Sequence, residues 1–334
     1  MARSVSIKPG NPDDLLNSNV FDPKSFSRVY LSRDCAERTT VKADALLLGV
    51  DGGGTRCRAR LCAPSGAKLG EAIAGPANIR FGLEDSLTSV LQATRECLRQ
   101  AGLSTRDLPK ITACLALAGA SEPIDLADAQ RQKHPFGRTT VTSDAHAACV
   151  GAHRGHDGGV IVVGTGTIGW AELAGRHYRV GGWGLPISDE GSGAWLGCEA
   201  LRRVLWAHDG RVAWTALLSA LFAQFQCDAH AIVRWTWNAS PRDFGALAPL
   251  VVEHAKRADP AAVELMRLAA GHIDALAARL IARGAHRLAL VGGLAPHISQ
   301  WISRNTQTHL VPPAGDALDG AVRLARAAAK SVAA

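Results

Sequence analysis

Twice in this chain a short apolar run breaks into a glycine-rich turn and then a hairpin, once at 46–74 and again at 159–183. The first run, "ALLLGV", reaches Asp51 and enters "DGGGT"; "RCRARLCAPSGAKLGEAIAG" then supplies a strand, a "PSG" turn and a third strand. The second, "GGVIVVGTGT", enters its turn at Gly164 and continues through the hairpin "IGWAELAGRHYRVGG". Runs this short and this apolar read as buried strands. The recurrence is structural rather than literal, and it predicts an α/β chain of two related lobes facing each other across a cleft.

The segments between fill in both lobes. "EDSLTSVLQATRECLRQAG" is an amphipathic helix with Leu87, Val90, Leu91 and Leu98 on one face. "ITACLALAGA" and "TVTSDA" are further strands, the latter stopping at Asp144, so the first half reads β-β-β-α-β-β. In the second half, helices are expected around 193–207, 212–226 and 259–283. The last has Asp259 as N-cap, Pro260 in its first turn, Gly284 beyond its end and Leu265, Leu268, Ile273, Leu276 and Leu280 at helical spacing. "HRLALVGG" is a strand and "GDALDGAVRLARAAA" a closing helix. The expected division is an N-terminal lobe at 45–150 and a C-terminal lobe at 151–330. Residues 1–44 are polar and turn-rich, and read as a loosely ordered extension whose docking points would be Leu15, Leu16 and Phe21. The region 209–250, with Trp214, Trp235 and Trp237, reads equally as a homodimer surface, a lid or core.

The net charge of +7 points to an anionic partner, but no dense Lys/Arg block with interleaved aromatics is present. Nucleic acid is therefore a poor candidate and a phosphate-bearing small molecule a better one. None of the eight cysteines forms a CxxC pair, which speaks against a thiolate metal site or a disulfide framework and for reduced thiols in the cytoplasm. No apolar stretch of about 18 residues predicts a membrane span.

The glycines of "DGGGT", Gly53 and Gly54 among them, let backbone N–H groups converge on an anion, and Thr55 adds a hydroxyl. Gly164, Thr165, Gly166 and Thr167 repeat the design in the other lobe. Two such turns would grip a polyphosphate from both sides, although neither fits a P-loop or a dinucleotide fingerprint. A carboxylate beside phosphates demands a cation between them, so Asp51 is a candidate Mg²⁺ holder; the alternative is an Asx-turn residue closing the strand. Asp144 reads either as an ordinary helix N-cap or as a base aimed into the cleft, taking a hydroxyl proton during phosphoryl transfer.

These motifs together resemble the actin-like ATPase superfamily, of ribonuclease H-like fold. Within it they are similar to the N-acetylglucosamine kinase branch grouped with the BadF/BadG-type ATPases. "GVDGGGT" and "VIVVGTGT" resemble its phosphate motifs, "SDAHAACVGAH" its connecting segment, "GGWGLPISDEGSGAWLG" its sugar-binding signature and "LALVGG" its adenosine motif. "GPANI", "LALAGA", "PISDEGSGA", "PRDFG" and "DALDGA" look most like the bacterial glucosamine kinases. The resemblance spans about 45–328. It implies two lobes, each a mixed five-stranded sheet flanked by helices, with ATP, Mg²⁺ and an amino sugar in the cleft. It implies Asp144 as the catalytic aspartate, Thr55 and Thr165 on phosphates, and Gly292 and Gly293 at the adenosine. Asn78, Ala118, Gly119, Gly182, Trp183 and Asp189 would meet the sugar. Asp189 reads alternatively as a helix cap and Trp183 as core. Ala118 stands where some relatives carry a hydroxyl.

The implied activity is phosphorylation of the 6-hydroxyl of D-glucosamine, with N-acetylglucosamine as the rival substrate. A repressor of this fold would need a helix-turn-helix, and a dehydratase activator a cysteine motif for an iron–sulfur cluster. The sequence offers neither.

Overall fold

The computed structural model describes residues 46–331. Leu15, Leu16 and Phe21 lie outside them. The first half runs β1 (Leu46–Gly52), β2 (Cys57–Cys62), β3 (Lys68–Ala74), α1 (Leu83–Gln100), β4 (Ile111–Leu117), α2 (Pro123–Arg131), β5 (Arg138–Ser143) and α3 (Asp144–His153). The second runs β6 (Gly158–Val163), β7 (Thr167–Leu173), β8 (Arg176–Gly181), α4 (Gly193–His208), α5 (Ala216–Gln224), α6 (Ala229–Thr236), α7 (Pro241–Gly245), α8 (Ala248–Lys256), α9 (Pro260–Ala282), β9 (Leu288–Val291), α10 (Ala295–Ile298), α11 (Arg304–Gln307) and α12 (Ala317–Lys330). The helices α2, α6, α7 and α8 were not foreseen as separate elements.

The two sheets share one plan. The first has the order β3-β2-β1-β4-β5, antiparallel through β3, β2 and β1 and parallel through β1, β4 and β5. The second has the order β8-β7-β6-β9, with the same antiparallel meander and a parallel β6–β9 pair. It therefore has four strands where five were expected. The place of a fifth is marked by a single parallel bridge between Leu288 and Leu310, since the segment after α11 meets β9 only briefly.

Burial explains the strand choices. All seven residues of β4 are buried, as a strand with parallel neighbours on both edges and helices on both faces requires. In α1 the residues Val90, Ala93, Cys97 and Leu98 are buried and Leu87 and Leu91 pack beside them, so packing of one face decides this helix. The apolar cluster around the first sheet is distinct from the larger one around the second, to which α4, α5, α8 and α9 contribute. Each fully buried leucine in these clusters stabilises by about 1.5–3 kcal/mol.

The closing helix is the main departure in organisation. α12, expected with the second lobe, packs on β1, β4 and α3, where Ala321 and Ala325 join Cys114, Ala116 and Ala147 in a cluster of small residues. α3 and α12 cross almost backbone to backbone: a Cβ on Gly320 would collide with the Ala147 carbonyl, and one on Gly151 with the Asp316 carbonyl. The other side of α3 rests on the second sheet through Ala145, Ala148, Cys149 and Ala152 against Val160, Trp170 and Ala289. α3 is thus the wedge between the two sheets.

In the region 209–250, Trp235 packs between Phe225 and Phe244, whereas Trp237 is 73% exposed. Among the described residues no single helix is long and apolar enough to cross a membrane.

Candidate active site

Asp51 lies directly opposite Arg58 in the β1–β2 register. Arg58 donates to Asp51 Oδ2 from Nε at 3.1 Å and from Nη2 at 2.7 Å, and its Nη1 donates to Asp316 Oδ2 at 2.7 Å. Asp316 is the N-cap of α12 and forms a capping box with Asp319. The carboxylate at the mouth of the glycine turn is therefore held in place by a cation on the next strand. Both bonds fall on Oδ2, which leaves Oδ1 available to a metal ion.

At Asp144 the N-cap reading fails. Ser143 caps α3, its hydroxyl accepting from the His146 N–H at 3.1 Å, and Asp144 is the first helical residue. Asp144 Oδ1 accepts from the Ala145 N–H at 2.9 Å. Burial, and then the negative charges of Asp51 and Asp189, push its carboxyl up to about 6. Such a group takes up and releases a proton close to neutral pH.

Two cavities meet at this carboxyl. The larger, of about 650 Å³, is lined by Asp51, Gly53, Gly54, Thr55, Arg58, Gly292, Gly293 and Asp316. The other, of about 430 Å³, is lined by Asn78, Arg80, Ala118, Gly119, the turn 164–167, Gly182, Asp189 and Arg242. Gly54, Asp144 and Val162 belong to both. Three carboxylates, of Asp51, Asp144 and Asp316, converge on the larger cavity with Arg58 as counter-charge. An all-oxygen donor set of this kind fits a hard cation such as Mg²⁺.

The two glycine turns meet at the smaller cavity through Gly54, and of the two cavities the turn 164–167 lines only that one. The turn 164–167 is drawn toward the start of α4, where Gly164 O accepts from the Gly193 N–H at 2.8 Å and Thr165 O from the Ala194 N–H at 3.1 Å. Its Thr167 is 3% exposed, and the hydroxyl has no hydrogen-bond partner among the described residues. Gly292, at φ 105, passes so near the Val163 carbonyl that no side chain fits there.

The sugar-side residues fall unevenly. Asn78 caps a short turn, its Oδ1 accepting from the Arg80 N–H at 3.1 Å, and pairs with Ala118 through an isolated bridge. Asp189 is not a helix cap, because Ser192 caps α4. Instead Asp189 Oδ1 accepts from the Gly184 N–H at 3.1 Å, the residue sits in the left-handed region at φ 67, and burial raises its carboxyl. Trp183 lines neither cavity and is not core: it is 51% exposed, with the Arg179 guanidinium 4.0 Å over its ring.

Several charged residues escaped the sequence reading. Arg80 and Arg242 line the smaller cavity, and their only signal was that Arg80 follows "PANI" and Arg242 stands within "PRDFG". Across the gap between lobes, Arg179 of β8 donates to Glu122 Oε1 at 2.5 Å, while Arg80 donates to the Trp183 carbonyl at 3.3 Å. Nothing local in the sequence announces these pairs.

A sequence model described as the BadF/BadG/BcrA/BcrD ATPase family matches residues 48–322. A glucosamine kinase of Vibrio cholerae is 41% identical over 278 residues, which cover 83% of this chain and 95% of that protein. An N-acetylmuramic acid/N-acetylglucosamine kinase of Clostridium acetobutylicum is 32% identical over 176 residues, 51% of this chain and 57% of its own length. Among solved structures, one from Chromobacterium violaceum described as a candidate N-acetylglucosamine kinase superposes with a TM-score of 0.80 at 35% identity. That match covers 85% of this chain and 99% of the other.

Proposed function

The chain belongs to the BadF/BadG/BcrA/BcrD ATPase family, and from that membership and the two joined cavities we propose an ATP-dependent amino-sugar kinase that phosphorylates the 6-hydroxyl of D-glucosamine. The larger cavity takes the nucleotide, with Gly53, Gly54 and Thr55 toward its phosphates and Gly292 and Gly293 toward its adenosine. The smaller takes the sugar, against Asn78, Asp189 and the turn 164–167. The observation that carries this reading is that Asp144 forms part of both walls. A phosphoryl group moving from one cavity to a hydroxyl in the other must pass this carboxylate.

Asp144 accepts the proton of the 6-hydroxyl as the oxygen attacks, a role worth about 10²–10⁴ in rate. Backbone N–H groups of the glycine turns meet the charge that spreads over the transferred group. Asp51, steadied by Arg58, would hold Mg²⁺. When bound, Mg²⁺ neutralises phosphate charge and orients the phosphates for transfer. Approach of the lobes excludes water, so that the sugar is phosphorylated rather than ATP hydrolysed. The buried thiols suit a reducing cytoplasm.

The free-amine sugar is favoured by the Vibrio cholerae relative and by the carboxylate of Asp189 at the cavity. N-acetylglucosamine is the second reading, since Ala118, Ile168 and Leu185 on the same cavity offer apolar surface to an acetyl group. Side-by-side kcat/KM values on the two sugars, for the wild type and Asp144→Asn, test both layers. A strong preference for the acetylated sugar overturns the substrate, and full activity of the variant overturns the role of Asp144.

A further inference from the structure

On the far side of α3 from the two joined cavities, three side chains from three elements converge. His146 stands in the first turn of α3, two residues beyond Asp144. Glu172 and His177 are register partners on β7 and β8. Their ligating atoms all lie within 4.8 Å of one another. His146 Nε2 is 3.5 Å from Glu172 Oε2, and His177 Nε2 is 4.0 Å from Glu172 Oε1. The first is a long hydrogen-bond contact and the second lies beyond the reach of a hydrogen bond, which closes best at about 2.7–3.2 Å. The first falls within the spacing of about 3.3–3.6 Å that tetrahedral ligands keep around an ion at about 2.0–2.2 Å, and the second lies a few tenths of an ångström beyond it.

The surroundings have the character of a built site. The other nitrogen of His146, Nδ1, is 2.7 Å from the Thr142 hydroxyl, which orients the ring with Nε2 toward Glu172. An outer partner on the second nitrogen is the usual companion of a ligating histidine. The two imidazoles lie 4.5 Å apart, flanked by the Trp170 ring at 5.9 and 5.6 Å. His146, His177 and Trp170 also border a separate cavity of about 360 Å³. Trp170 is only 7% exposed, and its buried Nε1 has no hydrogen-bond partner among the described residues.

We propose that His146, Glu172 and His177 form a zinc site, with its fourth position open to the adjoining cavity. Nitrogen and carboxylate donors in this ratio suit Zn²⁺ and disfavour Mg²⁺, which takes oxygen ligands in an octahedron. The ion ties the first turn of α3 to the β7–β8 hairpin and so positions Asp144 relative to the second sheet. It is separate from the Mg²⁺ at Asp51, and none of the cysteines takes part.

The test uses the full chain stripped with chelator and titrated with Co²⁺, then displaced by Zn²⁺. Wild-type protein is expected to take up one Co²⁺ per chain, giving visible tetrahedral bands without a thiolate charge-transfer band, and to gain several degrees in Tm. Glu172→Gln and His177→Asn, verified as folded by circular dichroism, should each weaken binding by roughly 100-fold or more. The proposal is overturned if the wild type shows no saturable uptake, if both folded variants bind as tightly as the wild type, or if a thiolate band reveals binding to cysteine.

Discussion

Arg179 and Glu122, 57 residues apart in the chain, meet across the gap between the lobes with Nη1 2.5 Å from Oε1. The Arg179 side chain is 7% exposed, and its remaining donors reach the carbonyls of Gly181 and Gly182 at 3.0 and 2.6 Å. The pair therefore ties the sugar-side loop after β8 to the segment that follows β4. Glu122→Gln removes the counter-charge while keeping the shape. It should lower kcat/KM for the sugar by roughly tenfold, mainly through KM, because the loop is no longer held against the cavity. Steady-state kinetics with varied sugar at saturating ATP measure this, and an unchanged KM would refute it.

Asp144→Asn should lower kcat by about 10²–10⁴ while nucleotide binding survives. The same substitution should stabilise the protein. The folded carboxyl titrates at about 6 against an ordinary value of 3.8, so the folded state binds the extra proton between those values. This group's contribution is therefore most favourable below about pH 4 and is lost as pH rises through 6. A neutral side chain removes that penalty, worth up to about 3 kcal/mol and less where solvent reaches the group. A rise in Tm of several degrees at pH 7.5, narrowing by pH 4.5, is the expected outcome in a thermal melt.

The same titration sets an acid limb in the kinetics. Because the base must be ionised, kcat/KM should fall about tenfold per pH unit below pH 6. Asp189→Asn removes one of the charges that raise the carboxyl, so the limb of that variant should move to lower pH. A limb near 4 in the wild type would contradict the buried environment described for Asp144.

At the crossing of α3 and α12 there is no room for a methyl group. Gly320→Ala should destabilise the fold by about 3 kcal/mol, since backbone rather than a mobile side chain stands in the way. Chemical denaturation should show a lower midpoint with an unchanged slope. Gly155→Ala, where a Cβ meets nothing within 4 Å, is a contrast whose effect comes from its φ of 78 alone.

Much of the fold was legible because it is local. The apolar runs of β1, β4 and β6 bury almost continuously, and Asp259, Pro260 and Gly284 bracket α9 as cap chemistry demands. The convergence of Asp51 and Asp144 was also legible, since Asp51 lies near the end of β1 and Asp144 just beyond β5, strands of one sheet. What escaped is non-local. That the turn 164–167 is held against the start of α4 depends on its bonds to Gly193 and Ala194. The exposure of Trp183 depends on Arg179, and the apolar stripe of α12, built largely of small residues, does not say which sheet it covers. His146, Glu172 and His177 have no motif spacing at all and meet only because α3 wedges against β7.

The placement of α12 also sets the order in which the molecule can be completed. A ribosome makes β1 (ending at Gly52) and β4 (ending at Leu117) long before the helix that covers them, which begins at Ala317. Until synthesis passes residue 330, one flank of the N-terminal sheet stays bare, and the nascent chain must shelter it or lend it to a chaperone. Maturation of the nucleotide-side wall, to which Asp316 and Ala317 belong, therefore waits for α12.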